Sequence, residues 1–543
     1  MHKKTITKSL LLAAGLSFAA TSFSTMAADV PAGVKLAAKQ ELVRGNGTEV
    51  ASTDPQKTEG APEAMIIRDL LEGLVTQDAD GNTIPGVAER WETKDNKTYT
   101  FYLRKNAKWS NGDPVTAEDF VYSFERLVDP ATASPYAWYL EMASMVNAAD
   151  IISGKKDKST LGVKAIDDYT FQVQLEHAVP YFVKMASNSS MSPVHKATVE
   201  KFGDQWTKPE HFVGNGAFIM SKWVVNERIE LTPNKQYWDN AHTVLTKVTF
   251  LPIENQVSEM NRFFSGEIDL TYEVSNEHYR SLLKKHPEVV KTEGILATYY
   301  YLFNVHKKPF DDLRVRQAMS YAIDRNIITK AILGQGQKPA YSLTPEIVAG
   351  FNPKLPEYAK WTQKERNAKA KELLAAAGYD KSHPLEFNLL YNTDENHKKL
   401  AVAIASMWKK TLGVKVTLEN QEWKTYMESK NQGNFQIVRA GWSGDYNEPS
   451  AFTNLMEGGN SVAGVNYQSA EYDNLVKRAI ASTSETDRTQ IYNQEEALLV
   501  KDMPIAPIYQ YVQTRLVNPH VGGYANHNAE DKLYSKDMYI IAE

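Results

Sequence analysis

Strand and helix patterns alternate in the second half of the chain, and this alternation restricts the fold more than any other feature. A strand pattern at 385–391 is followed by a helical pattern at 397–412, in which apolar residues recur at every fourth position. A strand pattern at 414–418, a short helix at 423–430 and a strand pattern at 435–439 complete the series. Strands that alternate with helices predict an α/β fold, with a largely parallel sheet covered by helices on its faces.

The predicted sheet brings polar and aromatic residues to one edge. In open α/β sheets, ligands bind beyond the carboxyl ends of the strands, which here are residues 392–397, 421–423 and 441–445. A cation, an anion, an imidazole and two indoles at this edge would suit a zwitterionic ligand with side chains. The alternative is that they are unrelated surface residues. The residues concerned are His397, Trp423, Arg439, Trp442 and Asp445.

The first residues have the three-part pattern of a secretory signal. A basic start precedes an apolar run at 10–20, and a stretch of small residues ends at Ala27. The apolar run is much shorter than the roughly 20 residues of a membrane span. No cysteine lies near Ala27, which argues against a lipid anchor. We predict that residues 1–27 are a signal peptide that is cleaved on export, and an uncleaved amphipathic helix is the alternative.

The composition excludes several classes of function. The chain has 61 basic and 66 acidic residues, which are scattered, whereas nucleic-acid binding requires a concentrated basic face. It has no cysteine, and this rules out thiol nucleophiles and thiolate metal sites. Its 28 tyrosines and 10 tryptophans suit a cavity that is apolar in its body and polar at its rim. A chain of 543 residues is expected to form three domains or two large lobes.

No catalytic motif stands out. Residues 441–445 resemble a nucleophile elbow around Ser443, but Asp445 occupies the place of the second glycine. The chain has no H-E-x-x-H metal motif, and Gly-Asn-Gly at 214–216 lacks the third glycine of a dinucleotide-binding loop. A pair of carboxylates acting as in glycosidases stays open, because nothing in the sequence singles one out. We expect no cofactor, no metal and no catalytic residue.

Motifs that follow one another along the chain resemble those of one protein family. They are Gly-Val-Ala-Glu-Arg-Trp at 86–91, Phe-Tyr-Leu-Arg at 101–104, Pro-Val-Thr-Ala-Glu-Asp-Phe at 114–120, Arg-Ala-Gly-Trp at 439–442 and Asp-Tyr-Asn-Glu-Pro at 445–449. Each motif alone is weak, but their order over nearly the whole chain is specific. The chain is similar to the peptide-binding receptors of ABC importers, solute-binding protein family 5, which include oligopeptide receptors and murein-peptide receptors.

This resemblance implies a two-lobed periplasmic binding protein fold of the type II-like class, which closes around its ligand. The lobes would be joined by a two-stranded hinge, with chain crossings near Ala297 and Gln513. Three domains are implied. Their expected bounds are residues 28–71, 196–296 and 513–543 for domain I, 72–195 for domain II, and 297–512 for domain III, which is the second lobe.

The resemblance also implies how a peptide is held. Asp445 would bind the α-ammonium group, and the backbone of Gly441 and Ser443 would pair with the extended peptide as an added strand. Arg439 and His397 would meet the carboxylate at different peptide lengths. The other implied contacts are Glu59 in the facing lobe, Lys430 near the carboxyl end of the peptide, and Tyr136, Tyr272, Tyr300, Trp423 and Trp442 in side-chain pockets.

The chain departs from close oligopeptide receptors at four positions. Ala297 and Ser443 stand where those receptors have a cysteine pair, so that disulfide is lost. Leu333 replaces a lysine, and Lys430 replaces an arginine, whose planar fork grips a carboxylate. The preferred peptide length is therefore open, and the alternative of a murein-peptide receptor gains weight.

The expected function is that of a periplasmic receptor, monomeric and without enzymatic activity. It would bind short peptides between its lobes and deliver them to the membrane permease of an ABC importer, with no nucleic-acid partner. A murein-peptide-specific receptor is the alternative within the family. An exported peptide hydrolase is the alternative from another class, and it would require a nucleophile or metal constellation that the sequence does not reveal.

We expect the exported protein to begin at Ala28. Intact-mass measurement and amino-terminal sequencing of protein exported from cells that express the full chain check this. Ala27→Leu should block cleavage at this position, because signal peptidase sites require small residues. An exported protein that retains residues 1–27 would contradict the prediction.

Overall fold

A computed structural model gives the structure of residues 28, 30–458, 467–524 and 527–542, without the side chains of residues 395, 423 and 424. The predicted signal peptide, residues 1–27, lies outside this part of the chain. None of the described helices combines the length and the apolar character that crossing a bilayer requires.

Strands and helices are distributed along the whole described chain. The strands are β1 (Glu41–Gly45), β2 (Val75–Gln77), β3 (Thr83–Pro85), β4 (Ala88–Thr93), β5 (Thr98–Leu103), β6 (Val163–Asp167), β7 (Thr170–Gln174), β8 (Phe218–Val224), β9 (Arg228–Pro233), β10 (Lys247–Leu251), β11 (Val290–Phe303), β12 (Lys338–Pro339), β13 (Glu386–Asn392), β14 (Lys415–Gln421), β15 (Ile437–Ser443), β16 (Ile505–Leu516), β17 (Val521–Gly522) and β18 (Tyr539–Ile540). The α-helices are α1 (Ala61–Leu70), α2 (Ala117–Val128), α3 (Trp138–Met142), α4 (Ala148–Ile152), α5 (Phe182–Met185), α6 (Lys196–Phe202), α7 (Gln256–Phe264), α8 (Asn276–Lys285), α9 (Leu313–Tyr321), α10 (Arg325–Ile327), α11 (Glu357–Lys360), α12 (Gln363–Ala376), α13 (Glu395–Leu412), α14 (Trp423–Asn431), α15 (Ser450–Thr453), α16 (Ala470–Ala481) and α17 (Glu485–Asp502).

Three sheets organise the molecule. Two four-stranded sheets, with the orders β1-β10-β9-β8 and β4-β5-β7-β6, are built from the first half of the chain. A six-stranded sheet with the order β12-β16-β11-β15-β13-β14 contains the strands of the second half, except for the short pair β17-β18. The predicted two-lobed α/β fold is confirmed, and the bounds of its three domains stay a prediction.

The six-stranded sheet is mixed, so the expectation of a largely parallel sheet is wrong. β13 pairs in parallel with β14 and with β15, as the alternation of strands and helices predicts. β11, however, runs antiparallel to both β15 and β16, and β12 runs antiparallel to β16. Parallel neighbours require a crossover connection, which the helices provide only in the β13-α13-β14-α14-β15 unit. β11 and β16 lie outside this unit and run in opposite directions.

β11 and β16 form one long antiparallel pair that extends beyond the six-stranded sheet. The residues of β11 from Val290 to Gly294 pair with the end of β16, and those from Thr298 to Leu302 pair with its beginning. Between Gly294 and Thr298 the register shifts. The predicted chain crossing at Ala297 falls in this irregular stretch, and its action as a hinge stays a prediction.

α17 contains a buried carboxylic acid that forms no ion pair with any cation in the described part of the chain. Glu495 is 0% exposed. Burial is the main cause that raises the pKa of Glu495 from its ordinary value of 4.5 to about 8, and the neighbouring Glu496 carboxylate adds to the effect. Glu495 is therefore protonated in the folded protein at neutral pH and ionised in the unfolded chain.

We expect Glu495→Gln to stabilise the protein increasingly as the pH rises. Between pH 4.5 and about 8, folding takes up a proton at Glu495, so stability is lost with rising pH, by up to about 1.4 kcal/mol per pH unit. The introduced amide mimics the protonated acid and removes this loss. Urea denaturation of both proteins from about pH 5 to about pH 8 measures it. A difference in the free energy of unfolding that does not change with pH would contradict the prediction.

Candidate functional site

A cavity of about 720 Å³ lies between the lobes. One wall comes from α1 and the residues before it, together with residues 136–138 and 188–190, and the other wall comes from β11, α14 and β15. The cavity brings together ten of the predicted site residues. They are Glu59, Tyr136, Tyr272, Tyr300, Lys430, Arg439, Gly441, Trp442, Ser443 and Asp445.

β15 gives this cavity an open strand edge. β11 pairs with β15 over its whole length, Ile437–Ser443, but β13 on the other side pairs only with the first two residues. Residues 439–443 therefore have one edge without a strand partner in the described part of the chain. The sequence prediction ended this strand at Arg439, which is wrong, because β11 supplies pairing partners as far as Ala297.

The pairing pattern shows which backbone groups face the cavity. Gly444 donates its N–H to the Leu296 carbonyl oxygen at 2.7 Å. Gly444 therefore occupies a hydrogen-bonded position of the β11–β15 ladder. Hydrogen-bonded and non-bonded positions alternate in an antiparallel ladder, so Ser443 and Gly441 occupy non-bonded positions. Their backbone N–H and C=O groups point away from β11. They are therefore available to an extended ligand, which would add one strand to the sheet.

A side chain at position 441 would crowd its neighbours. A Cβ atom at this position would lie 3.0 Å from the Tyr511 hydroxyl oxygen and 3.3 Å from Nη2 of Arg439. A larger residue would displace the side chains that border the free edge of β15. The absence of a side chain therefore keeps both Arg439 and the backbone accessible.

The Arg439 guanidinium is held in place by uncharged groups. Its Nη2 donates to the Tyr511 hydroxyl at 2.9 Å, and its Nη1 lies 3.4 Å from Oδ1 of Asn392. The guanidinium carbon lies 4.9 Å from the centre of the Tyr299 ring, which favours a cation over its face. Among the described residues, no carboxylate forms an ion pair with Arg439. The site thus presents a positioned cation whose charge is not neutralised.

Lys430 in α14 is a second cation of this wall. It is 8% exposed, and no hydrogen bond or ion pair joins it to another described side chain. Burial lowers the pKa of Lys430 to about 8, and the charge of Arg439 contributes to this effect. A ligand carboxylate near Lys430 would favour its charged form.

Asp445 presents the opposite charge, just beyond the end of β15. Its Oδ1 accepts hydrogen bonds from the Tyr136 hydroxyl at 2.9 Å and from Nδ2 of Asn188 at 3.3 Å. Burial raises the pKa of Asp445 to about 6, although these two bonds act in the other direction. No cation of the described residues forms an ion pair with it, so its carboxylate is free to receive an ammonium group.

The segment around Asp445 also joins the two lobes. Lys184 donates to the backbone oxygen of Asn447 at 3.1 Å. The Tyr181 and Tyr446 rings stack with centres 5.6 Å apart and planes inclined by 8°. The walls of the cavity are therefore in direct contact close to the acid.

One predicted site residue, His397, does not line the cavity. His397 lies in the first turn of α13 and packs against the Tyr299 ring, with centres 5.6 Å apart. Burial lowers the pKa of His397 to about 3, with a contribution from the charge of Arg439, so its ring is neutral at pH 7. The side chain of Trp423 lies outside the described part of the structure. The roles of both residues stay predictions.

The cavity also has wall residues that the sequence did not reveal. Ala61, Met65 and Arg68 lie at helical spacing along one face of α1, and Asn188 comes from a loop far from the strand ends. Their only sequence signal is the three- to four-residue spacing of α1, which is the same for a helix packed on a core. Only the tertiary structure shows that this face borders a cavity.

Ala297 and Ser443 lie directly opposite each other in the β11–β15 pair. It is a non-hydrogen-bonded pair, in which side chains approach closely. The geometry is therefore consistent with the cysteine pair that the resemblance implies for these two positions.

The family model for bacterial extracellular solute-binding proteins, family 5 (middle region), matches residues 82–464. The chain belongs to this family. The periplasmic oligopeptide-binding protein OppA of Salmonella typhimurium is 52% identical over 538 residues, which cover 99% of each chain. The periplasmic murein peptide-binding protein MppA of Escherichia coli is 48% identical over 540 residues, again covering 99% of each chain.

Solved structures of family members have the same fold. The murein tripeptide-binding protein MppA of Escherichia coli matches with a TM-score of 0.86 at 49% identity, over 94% of this chain and 100% of its own. Haemophilus influenzae OppA, in complex with the peptide RPPGFSPFR, matches with a TM-score of 0.83 at 45% identity, over 94% of this chain and 100% of its own.

We expect the Lys430 amine to titrate near pH 8, and Arg439→Met to move this midpoint upward. Removing the neighbouring positive charge favours the ammonium form, although burial still opposes it. Acetylation by acetic anhydride as a function of pH, followed by peptide mass spectrometry, measures the midpoint. Lys430→Met identifies the labelled peptide. An unchanged midpoint in Arg439→Met would contradict the predicted coupling between the two cations.

Proposed function

We propose that this family member is a periplasmic receptor that binds short peptides in an extended form between its lobes and delivers them to the permease of an ABC importer. The observation that carries the proposal is the placement of Asp445 and Arg439. They are opposite charges, neither has a charged partner among the described residues, and the free edge of β15 runs between them. A peptide offers an ammonium group, a carboxylate and backbone hydrogen bonds in this same arrangement.

The spacing of these groups supports a short ligand and gives it a direction. Residues 439–443 span about 13 Å at the rise of a β-strand, which corresponds to a peptide of about three to five residues. With its ammonium group at Asp445 and its carboxylate at Arg439, the peptide would run antiparallel to β15. Glu59 and its neighbours would face it from the other lobe.

The relatives support peptides as the ligand class. Two are a periplasmic oligopeptide-binding protein and a periplasmic murein peptide-binding protein, and a Haemophilus influenzae relative has been solved with a nine-residue peptide. The alternative of a murein-peptide-specific receptor rests on Lys430 and on Leu333, which is a buried apolar residue here. Periplasmic location, a monomeric state and the absence of a nucleic-acid partner belong to the same proposal.

Binding without turnover is also part of the proposal. It is supported by membership of a family of solute-binding proteins. An exported peptide hydrolase is the rival function. Incubation of the purified protein with Ala-Ala-Ala, with calorimetry to measure binding and chromatography to measure the peptide afterwards, separates the two. We expect binding with full recovery of the tripeptide, and release of free alanine would contradict it.

We expect Asp445→Asn to weaken tripeptide binding by roughly 30-fold or more, since loss of one partner of a buried charge pair costs about 2–5 kcal/mol. N-acetylation of the peptide should weaken binding similarly. The two changes together should cost less than their sum, because they break one interaction. Fluorescence titration of the four combinations measures this coupling, and full additivity would show that Asp445 does not hold the amine.

Tripeptide binding should also weaken as the pH falls below about 6, because Asp445 is then protonated in the empty site.

A further inference from the structure

Arg68 is a cation of the cavity wall that has no role in holding the two ends of a peptide. It lies on the cavity face of α1, in the lobe opposite Arg439 and Lys430, and is half-buried. Its Nε atom is buried without a hydrogen-bond partner, and no carboxylate of the described residues forms an ion pair with it. The Arg68 guanidinium carbon lies 6.0 Å from the centre of the Tyr534 ring, which is a loose contact.

Two acids attract Arg68, but neither forms an ion pair with it, and Oδ2 of Asp69 has no hydrogen-bond partner among the described residues. Asp531 accepts two hydrogen bonds from Arg515, at 2.5 and 2.7 Å. Asp69, which is 1% exposed, accepts the backbone N–H of Ser535 at 2.8 Å. Burial lowers the pKa of Arg68, and attraction to these acids offsets only part of that effect. Arg68 is still charged at neutral pH, because an arginine side chain is not deprotonated in proteins.

The charges that border the cavity do not balance. Lys532 and Glu530 pair with each other at 2.5 Å, and Asp531 pairs with Arg515. Among the described residues, the cations of the wall that remain unpaired are Arg68, Lys430 and Arg439, and the unpaired anions are Asp445 and the exposed Glu59. A peptide with uncharged side chains adds one ammonium group and one carboxylate, so the excess of positive charge persists after it binds.

Arg68 lies toward the Asp445 end of the cavity. Asn188 donates to the Asp445 carboxylate. Asn188, Ser189 and Arg68 all line both the main cavity and a second, small polar cavity. A side chain from the amino-terminal half of a bound peptide would therefore be nearer to Arg68 than one from the carboxyl-terminal half.

We propose that Arg68 is a specificity-determining residue that binds an acidic side chain in the amino-terminal half of the peptide, so that the receptor prefers acidic peptides. This inference rests on the proposed peptide-binding function and adds the ligand's charge and the position of that charge. A carboxylate provides the planar acceptor that a guanidinium fork binds with two hydrogen bonds.

Calorimetry at low ionic strength with Ala-Glu-Ala, Ala-Gln-Ala and Ala-Ala-Ala tests the inference. We expect the wild-type protein to bind Ala-Glu-Ala about tenfold or more tightly than Ala-Gln-Ala, as a charge-assisted hydrogen bond in a partly buried site allows. Arg68→Met should reduce this ratio to near one while Ala-Ala-Ala still binds. Arg68→Lys should retain part of the preference. Arg478→Met, at an exposed site outside the cavity, is the matched control and should keep the full ratio.

The position of the glutamate within the tripeptide gives a second comparison. Glu-Ala-Ala and Ala-Glu-Ala should both respond to Arg68→Met more strongly than Ala-Ala-Glu. Binding of Ala-Ala-Ala without a preference for the acidic peptide, or a preference that survives Arg68→Met, overturns the inference and leaves peptide binding supported. Failure of every tripeptide to bind the wild-type protein overturns the proposed function instead, and the inference with it.

Discussion

Charges that are removed from water and left unpaired are the constraint on which this site depends. Arg439 is held by a phenol, an amide and a ring face, and Asp445 is held by a phenol and an amide. These neutral groups fix the direction of each charge without cancelling it. Burying an ion without a counter-ion is costly, so the free energy of the site falls when a ligand brings the missing charge. The empty site is thus prepared to receive a ligand with opposite charges at its two ends.

The same acid also takes part in the contact between the lobes. With the predicted domain bounds, Asp445 belongs to the second lobe, and the groups that bind its carboxylate, Tyr136 and Asn188, belong to the first. The predicted closure of the lobes would therefore complete the surroundings of the acid and withdraw it from water. Because a buried carboxylate attracts an ammonium group more strongly than a hydrated one, closure and ligand binding favour each other.

The sequence predicted the fold class and about a third of the residues that line the cavity. Alternating strands and helices identified the parallel part of the sheet, and the order of motifs placed ten of the predicted residues in the cavity. Local patterns did not predict the antiparallel strands of that sheet, because β11 and β16 pair across more than 200 residues of chain. The neutral state of His397 could not be predicted either, since it results from burial and from Arg439. Arg68 was missed because its place on a helix face is the same in a core helix as in a cavity wall.

The facing pair of Ala297 and Ser443 has a consequence for how the molecule is made. A cross-link at these positions would tie the strand that borders the ligand to its neighbour, and its formation would depend on an oxidant and on a thiol–disulfide exchange enzyme. The chain has no cysteine at all, so its maturation includes no oxidative step and cannot be diverted by mispaired thiols. The strand register rests on hydrogen bonds and packing alone, and the receptor keeps the same covalent structure in reducing and in oxidising surroundings.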